Sequence, residues 1–217
     1  MNKALAAYID HTILKPTTAL ADIEQLCQEA KEFHFAAVCV PPYFIKQSKA
    51  LLANSTVKVA TVIGFPFGYS NIAAKKAEIE EAIAQGADEL DIVINQCALA
   101  EENWDYLAKE IITCLQPIRL HNKIVKVIIE SGILLDTQIK NCCQLYAKHK
   151  VDFVKTSTGY AAEGASVHAV ALMRAHLPAE IAIKASGGIR TADFAQALID
   201  AGATRIGASA SVAIVNN

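Results

Sequence analysis

Two lysines occupy places where lysine is expensive. Lys155 ends the apolar run of VDFVKTSTG and Lys184 that of IAIKASGGIR, and each is followed at once by small, hydroxylated or glycine residues. An ammonium in an apolar strand is costly to desolvate, so such a position calls for a use. Lysines at equivalent positions on nearby strands repel each other, and that repulsion lowers an amine pKa, which is what a lysine nucleophile needs. An unperturbed lysine is about 0.04% neutral at pH 7, whereas a downward shift of roughly three units leaves about a quarter neutral. The matching chemistry is attack of a neutral amine on a carbonyl. The resulting iminium is an electron sink, so a neighbouring carbon–carbon bond can break or form through an enamine. Lys155 is the candidate nucleophile, although on this pattern alone the two lysines can exchange the roles of nucleophile and modulator.

Elements that place such residues are visible along the chain. Short β-branched runs predict strands near 7–12, 36–40, 57–63, 89–94, 123–129, 151–156, 180–185 and 204–208. Between them run helical stripes: Leu20, Ile23, Cys27, Ala30 and Phe33; Trp104, Leu107, Ile111, Leu115 and Ile118; Phe194, Leu198 and Ala201. Eight strands interleaved with helices, with no linker or low-complexity segment, predict a parallel sheet. Two joins, AIAQGADELDI and ALIDAGATRIG, share a glycine where a helix end favours a left-handed residue, with a strand directly after. That repetition, in 217 residues that are 53% hydrophobic, predicts an α/β fold: a single (β/α)8 barrel spanning residues 1–217. The absence of GxGxxG and GxxxxGK[ST] patterns removes the main support for a nucleotide-binding sheet.

The C-terminal strand ends of such a barrel build its active site. Strand parity puts Asp10 with Thr12, Asp91 with Val93 and Asn95, Lys126 with Ile124, Ile128 and Glu130, Lys155 with Phe153 and Ser157, and Lys184 with Ala182 and Ser186. If these faces point inward, Asp10, Asp91, Lys126, Lys155 and Lys184 converge, and three cations nearly balance two carboxylates. Asp91, with a water, is placed to move protons at the carbinolamine and enamine steps. The competing reading is a structural ion-pair network, or lysines snorkelling from an outer face. Ser186, Gly187 and Gly188 follow the seventh strand, and Gly207 and Ser209 the eighth, where loops often cradle a phosphate through backbone N–H groups. Gly159, just past the sixth strand, adds to that wall. Ordinary tight turns would use the same residues.

Other features are less specific. His11 faces away from Asp10 by parity and reads as packing or capping, while His34, His121, His149, His168 and His176 read as solvent-facing. No HExxH or His/Asp cluster at metal spacing is present, so no metal is expected. Gly64-Phe65-Pro66-Phe67-Gly68 reads equally as a stiff pocket-lining loop or a turn with buried aromatics, and Cys39 as a core thiol near the pocket. Cys27, Cys39, Cys97, Cys114, Cys142 and Cys143 have no metal-type spacing and read as reduced core residues of a cytoplasmic protein. A net charge of −2 without basic runs gives no sign of nucleic acid or a membrane surface, and no apolar stretch is long enough for a span. The opening MNKALAAYIDHT is too short in its apolar part, and too soon followed by Asp10 and His11, to be a signal peptide.

The chain resembles the deoxyribose-phosphate aldolases, class I aldolases, over essentially its whole length. The matching segments are Asp10-His11-Thr12, AAVCV, TVIGFPFG, ELDIVIN, VKVIIESG, VKTSTG, IKASGGIR and RIGASAS. VKTSTG and KASGGIR in this order and separation carry most of the specificity. The resemblance implies a (β/α)8 barrel that reversibly cleaves 2-deoxy-D-ribose 5-phosphate to D-glyceraldehyde 3-phosphate and acetaldehyde. It puts the Schiff base on Lys155, the pKa-lowering lysine at Lys184 and the proton relay at Asp91. Asp10, Thr12 and Lys126 would extend the polar network, the glycine and serine loops would hold the phosphate, and neither metal nor organic cofactor is implied. The chain departs from the family in having Pro41-Pro42 after the second strand and Tyr160 where some members have a phosphate-binding lysine. Longer members carry a C-terminal tail with a terminal tyrosine; ending at Asn217, this sequence leads to an expectation of slower proton exchange at the acetaldehyde carbon. A Schiff-base aldolase of other specificity and a non-catalytic phosphosugar-binding barrel are the competing functions. Outer apolar helices are compatible with a homodimer or higher homo-oligomer.

Overall fold

The computed structural model describes residues 3–216, so the ends of the expected 1–217 domain, Asn217 included, lie outside the described residues. The strands are β1 (Ile9–Thr12), β2 (Ala37–Val40), β3 (Lys58–Ile63), β4 (Glu89–Val93), β5 (Ile124–Ile128), β6 (Phe153–Lys155), β7 (Ala182–Ser186) and β8 (Arg205–Ala208). The helices are α1 (Lys3–Ala6), α2 (Leu20–Phe33), α3 (Ile45–Leu51), α4 (Ile72–Ala84), α5 (Gln96–Ala100), α6 (Trp104–Leu120), α7 (Asp136–Lys148), α8 (Val167–His176), α9 (Ala192–Asp200) and α10 (Ser211–Asn216). All eight expected strands are present, shorter than drawn at several ends. They pair in parallel in the order β1 to β8, with β8 closing on β1.

Alternation across each strand sorts the side chains into two layers. Ile92, Val127, Val154, Ile183 and Ile206 point outward into the large core shared with the helices. Inside, β2 and β3 contribute a small apolar cluster of Ala37, Cys39, Ala60 and Val62. The charged residues come from the remaining strands, so the interior is apolar on one side and ionic on the other.

Helix ends follow local chemistry. Asn71, Asn95, Asn103, Ser166 and Thr191 each accept an N–H bond from the first turn of the helix they precede, worth about 1 kcal/mol apiece. The two joins alike in sequence are alike in structure. Gly86 and Gly202 have φ of +104° and +115°, and the residues after them donate back to Ala82 and Leu198. The expected helix stripes are mostly buried. Leu20 is not: as the first residue of α2 it lacks a preceding turn to cover it and is 48% exposed.

Candidate active site

Register brings the charged groups into contact. Lys155 pairs with Lys184 across β6 and β7, and Asp91 with Lys126 across β4 and β5. Adjacent strands are about 4.8 Å apart, so inward side chains at paired positions meet. Asp91 is the hub: Lys126 reaches its Oδ1 at 2.8 Å, while Lys155 and Lys184 both reach its Oδ2 at 2.8 Å. Lys184 also donates to Asp10 Oδ2 at 2.5 Å. All five groups expected to converge are together and buried.

Two further members were not anticipated. Lys126 lies 2.6 Å from Glu89 Oε2, and Arg205 lies 2.6 Å from Asp10 Oδ1 and 3.2 Å from Glu89. Each stands two residues before a residue already singled out, Asp91 and Gly207, and so shares its inward parity. That parity was the available signal. With them the cluster holds four cations (Lys126, Lys155, Lys184, Arg205) and three carboxylates (Asp10, Glu89, Asp91), and loss of one lysine proton balances it.

Electrostatics distinguish the lysines. Burial pushes the Lys155 amine below its ordinary value; Asp91 pulls it back, and Lys184 adds to the lowering. Burial acts on Lys184 and Lys126 too, but Asp10 and Asp91 hold the first, and Asp91, Glu89 and Asp10 the second, above the ordinary lysine range. Thus the expectation that like-charge repulsion is the main cause needs correction: desolvation is larger, and repulsion from Lys184 is secondary. Burial alone would raise Asp91 and Asp10. The surrounding cations outweigh it and keep both well below the usual carboxylate range.

Above the cluster, Lys155 opens onto a cavity of about 360 Å³ at the C-terminal mouth. Thr12, Gly159, Ser186, Gly187, Gly188, Gly207 and Ser209 all line it, with Lys15 and Arg190 at its edge. Thr12 Oγ1 donates to the Asp10 carbonyl at 2.9 Å. Gly188 has φ of +78° and only open space where a side chain would stand. Gly207 is needed for a different reason: a Cβ there would lie 3.0 Å from Lys184 Cε, so the glycine makes room for the lysine stem. Tyr160 donates its hydroxyl to the Leu14 carbonyl at 2.8 Å and packs edge-on against Phe65.

The segment 64–68 lines a neighbouring cavity of about 510 Å³ that shares Leu14 with the first, with Phe67 half exposed. Cys39 is fully buried in the apolar half of the interior, close enough to Lys184, Asp91 and Lys155 to feel their charge. All six cysteines are free; Cys97 is the exposed exception to their expected core role. His149 is half-buried and so differs from the other four outer histidines, which are exposed as expected. Glu130, on the expected inward face, instead turns its buried carboxylate to the N–H and hydroxyl of Thr158, from a left-handed backbone of φ 57°. Among the described residues, no group of three or more His, Cys, Asp or Glu could hold a metal ion, and no helix is long and apolar enough to cross a membrane.

A closed parallel barrel that joins a buried lysine of lowered pKa to a glycine- and serine-walled mouth has the architecture of a (β/α)8 enzyme. Comparison with known proteins gives the class a family: the model described as DeoC/LacD family aldolase matches residues 4–215, and the chain belongs to that family. It is 49% identical over 215 residues to a deoxyribose-phosphate aldolase of Caldicellulosiruptor saccharolyticus, covering 99% of this chain and 98% of the other. It is 47% identical over 211 residues to a deoxyribose-phosphate aldolase of Lactiplantibacillus plantarum, covering 97% and 98%. Among solved structures it is similar to a deoxyribose phosphate aldolase of Aeropyrum pernix described as tetrameric, with TM-score 0.92, 29% identity and coverage of 99% and 90%. The resemblance seen in VKTSTG and KASGGIR is borne out, and the chain is an aldolase, a carbon–carbon lyase.

Proposed function

We propose that the chain reversibly cleaves 2-deoxy-D-ribose 5-phosphate to D-glyceraldehyde 3-phosphate and acetaldehyde through a Schiff base on Lys155. The observation that carries this reading is that the one lysine of the cluster with a lowered pKa is also the one that lines the glycine- and serine-walled cavity. Neutral Lys155 adds to the C1 aldehyde of the open-chain sugar, and loss of water gives the iminium. The C2–C3 electron pair then moves into the iminium as the C3 hydroxyl loses its proton, leaving an enamine and releasing glyceraldehyde 3-phosphate. Protonation at C2 and hydrolysis free acetaldehyde and the amine.

Asp91 is held as a carboxylate, so it accepts a proton, through a water, at the carbinolamine and C3 steps and returns it later. Lys184 stays protonated between Asp10 and Asp91; it fixes Asp91 and disfavours a charge on Lys155. Asp10, Thr12 and Lys126 hold this network in place. Gly159, Ser186, Gly187, Gly188, Gly207 and Ser209 form the wall for the 5-phosphate. The free cysteines fit a reduced cytoplasm, the substrate fits deoxynucleoside sugar breakdown, and the tetrameric relative fits a homo-oligomer.

Borohydride reduction with acetaldehyde, followed by peptide mass spectrometry, tests the mechanism. An ethyl adduct on Lys155 is expected. An adduct on Lys184 reverses the two lysine roles, and no adduct on folded protein leaves a phosphosugar-binding barrel. Turnover with acetaldehyde against dihydroxyacetone as donor tests the substrate.

A further inference from the structure

His11 is a buried polar group with no part in the steps above. It points out of the barrel from β1 and is 4% exposed. Its Nε2 lies 2.7 Å from Glu29 Oε2 on α2, and its Nδ1 lies 3.0 Å from Ser211 Oγ at the start of α10. Phe35 packs edge-on to the ring at 5.2 Å.

Counting protons gives this bridge two states, the first of them with the ring protonated. Ser211 Oγ also lies 2.8 Å from the Ala208 carbonyl, which can only accept, so the hydroxyl proton points there. The same oxygen must then accept from His11, and Nδ1 carries a proton. Burial would raise Glu29, but bonds from Gln25 and His11 hold it below the usual carboxylate range, so it is ionised and accepts from Nε2–H. In this state both ring nitrogens donate, as they do only in the protonated ring, which is populated below the His11 titration. A neutral ring would keep only the proton facing Glu29. Ser211 would then turn its hydroxyl to Nδ1, and the Ala208 carbonyl would lose that partner.

Ala208 opposes His11 in the β1–β8 register, and its carbonyl shares one peptide plane with the N–H of Ser209. In a trans peptide the two point in opposite directions, so holding one aims the other. Ser209 lines the cavity above Lys155. We propose that His11 is a positioning residue: bridging Glu29 and Ser211, it anchors the Ala208 carbonyl and so orients the Ser209 N–H toward the substrate phosphate. This rests on the phosphosugar reading given above. The charged groups facing the ring are Glu29 on α2 and, across a small cavity they share with it, Lys15 and Asp22. Burial sets the His11 titration below its ordinary value, against the pull of Glu29.

The test measures kcat and KM for 2-deoxyribose 5-phosphate and for unphosphorylated 2-deoxyribose in the wild type, His11→Leu and His11→Asn. The asparagine amide can donate to Ser211 at any pH; leucine cannot donate. Below the His11 titration, the preference of His11→Leu for the phosphorylated sugar, as a ratio of kcat/KM values, is expected to be about tenfold less than that of the wild type, the worth of one hydrogen bond to a charged group, mainly through KM. His11→Asn recovers most of it. In the wild type that preference weakens relative to His11→Asn as pH rises through the His11 titration. Phosphate ionisation affects both proteins alike, and Lys155 ionisation acts on both sugars alike, so both cancel. If His11→Leu does not fold, the pH comparison with His11→Asn still decides. An equal loss on both sugars, or a pH-independent difference, overturns the proposal alone. A wild type without preference for the phosphorylated sugar overturns the phosphosugar reading and this proposal with it.

Discussion

Lys155 and Lys75 are both buried lysines on a carboxylate, yet only one of them opens onto a cavity. Lys75, on α4, is fully buried between the barrel wall and α6. It donates to Glu110 Oε1 and to the Val93 carbonyl, both at 2.7 Å, and the other oxygen of Glu110 accepts the Asn95 N–H at 3.2 Å. Neither residue lines the cavities at the mouth. The pair ties α4 and α6 to the end of β4, the strand that carries Asp91. Lys155 instead shares the Asp91 oxygen it binds with Lys184 and opens onto a cavity. Burial of a lysine therefore does not make a nucleophile. Lys155 adds to its burial a shared carboxylate and an opening to a cavity, and it is the opening that gives a ligand access.

The sharpest way to break the contrast is to remove each amine in turn. Lys155→Leu is expected to abolish the ethyl adduct and to reduce turnover by about 10⁴-fold or more, since no Schiff base can form. Retention of the adduct in this variant would move the nucleophile elsewhere.

Lys184→Met comes next. Without Lys184, Lys155 loses a like-charge neighbour and a competitor for Asp91, and both losses raise its pKa. The neutral amine is the reactive form and is populated above its pKa, so the rising limb of the pH–rate profile moves to higher pH. The defect is expected to be roughly a hundredfold near neutrality and to shrink as pH rises. A defect of constant size at every pH would give Lys184 a direct chemical part.

The two lysines also differ in how far they were legible. Lys155 and Lys184 stand out because a period of two on short apolar strands leaves a charged residue nowhere neutral to go. Lys75 is hidden in AAKKAEIEE, where it is indistinguishable from Lys76. One residue, about 100° around the helix, separates their fates: Lys76 pairs with Glu80 at the surface, while Lys75 points at Glu110, a partner 35 residues away. Glu89 and Arg205 were missed because their strand ends look like ordinary charged boundaries. Their inward parity acquires meaning only when the barrel closes and brings β8 beside β1. The order of causes at Lys155 was likewise out of reach, since desolvation depends on packing from all sides.

Lys75→Met should reverse the pattern seen at Lys155: stability falls while the nucleophile survives. Leaving the Glu110 carboxylate buried without its cation is expected to cost about 3–5 kcal/mol, read as a lower urea midpoint with an unchanged m-value. The folded fraction should still form the ethyl adduct on Lys155. Loss of the adduct in folded protein would make the pair part of the reactive centre.

The smallest effect is expected from removing both members. In Lys75→Met with Glu110→Leu no charge is left buried, and the apolar replacements recover packing. The recovery is incomplete, because the Val93 carbonyl and Asn95 N–H lose the partners that the pair supplied. Each such group costs about 1–3 kcal/mol if it stays dry and less if water reaches it. The double variant should therefore be more stable than Lys75→Met but less stable than the wild type. The lysine cluster offers no such rescue: Asp91 serves Lys126, Lys155 and Lys184 together, so deleting it with any one of them takes a partner from the other two. A double variant at Lys75 and Glu110 no more stable than the single one would show that the pair is held in a wider network, as Asp91 is, and the contrast between the two lysines would reduce to access alone.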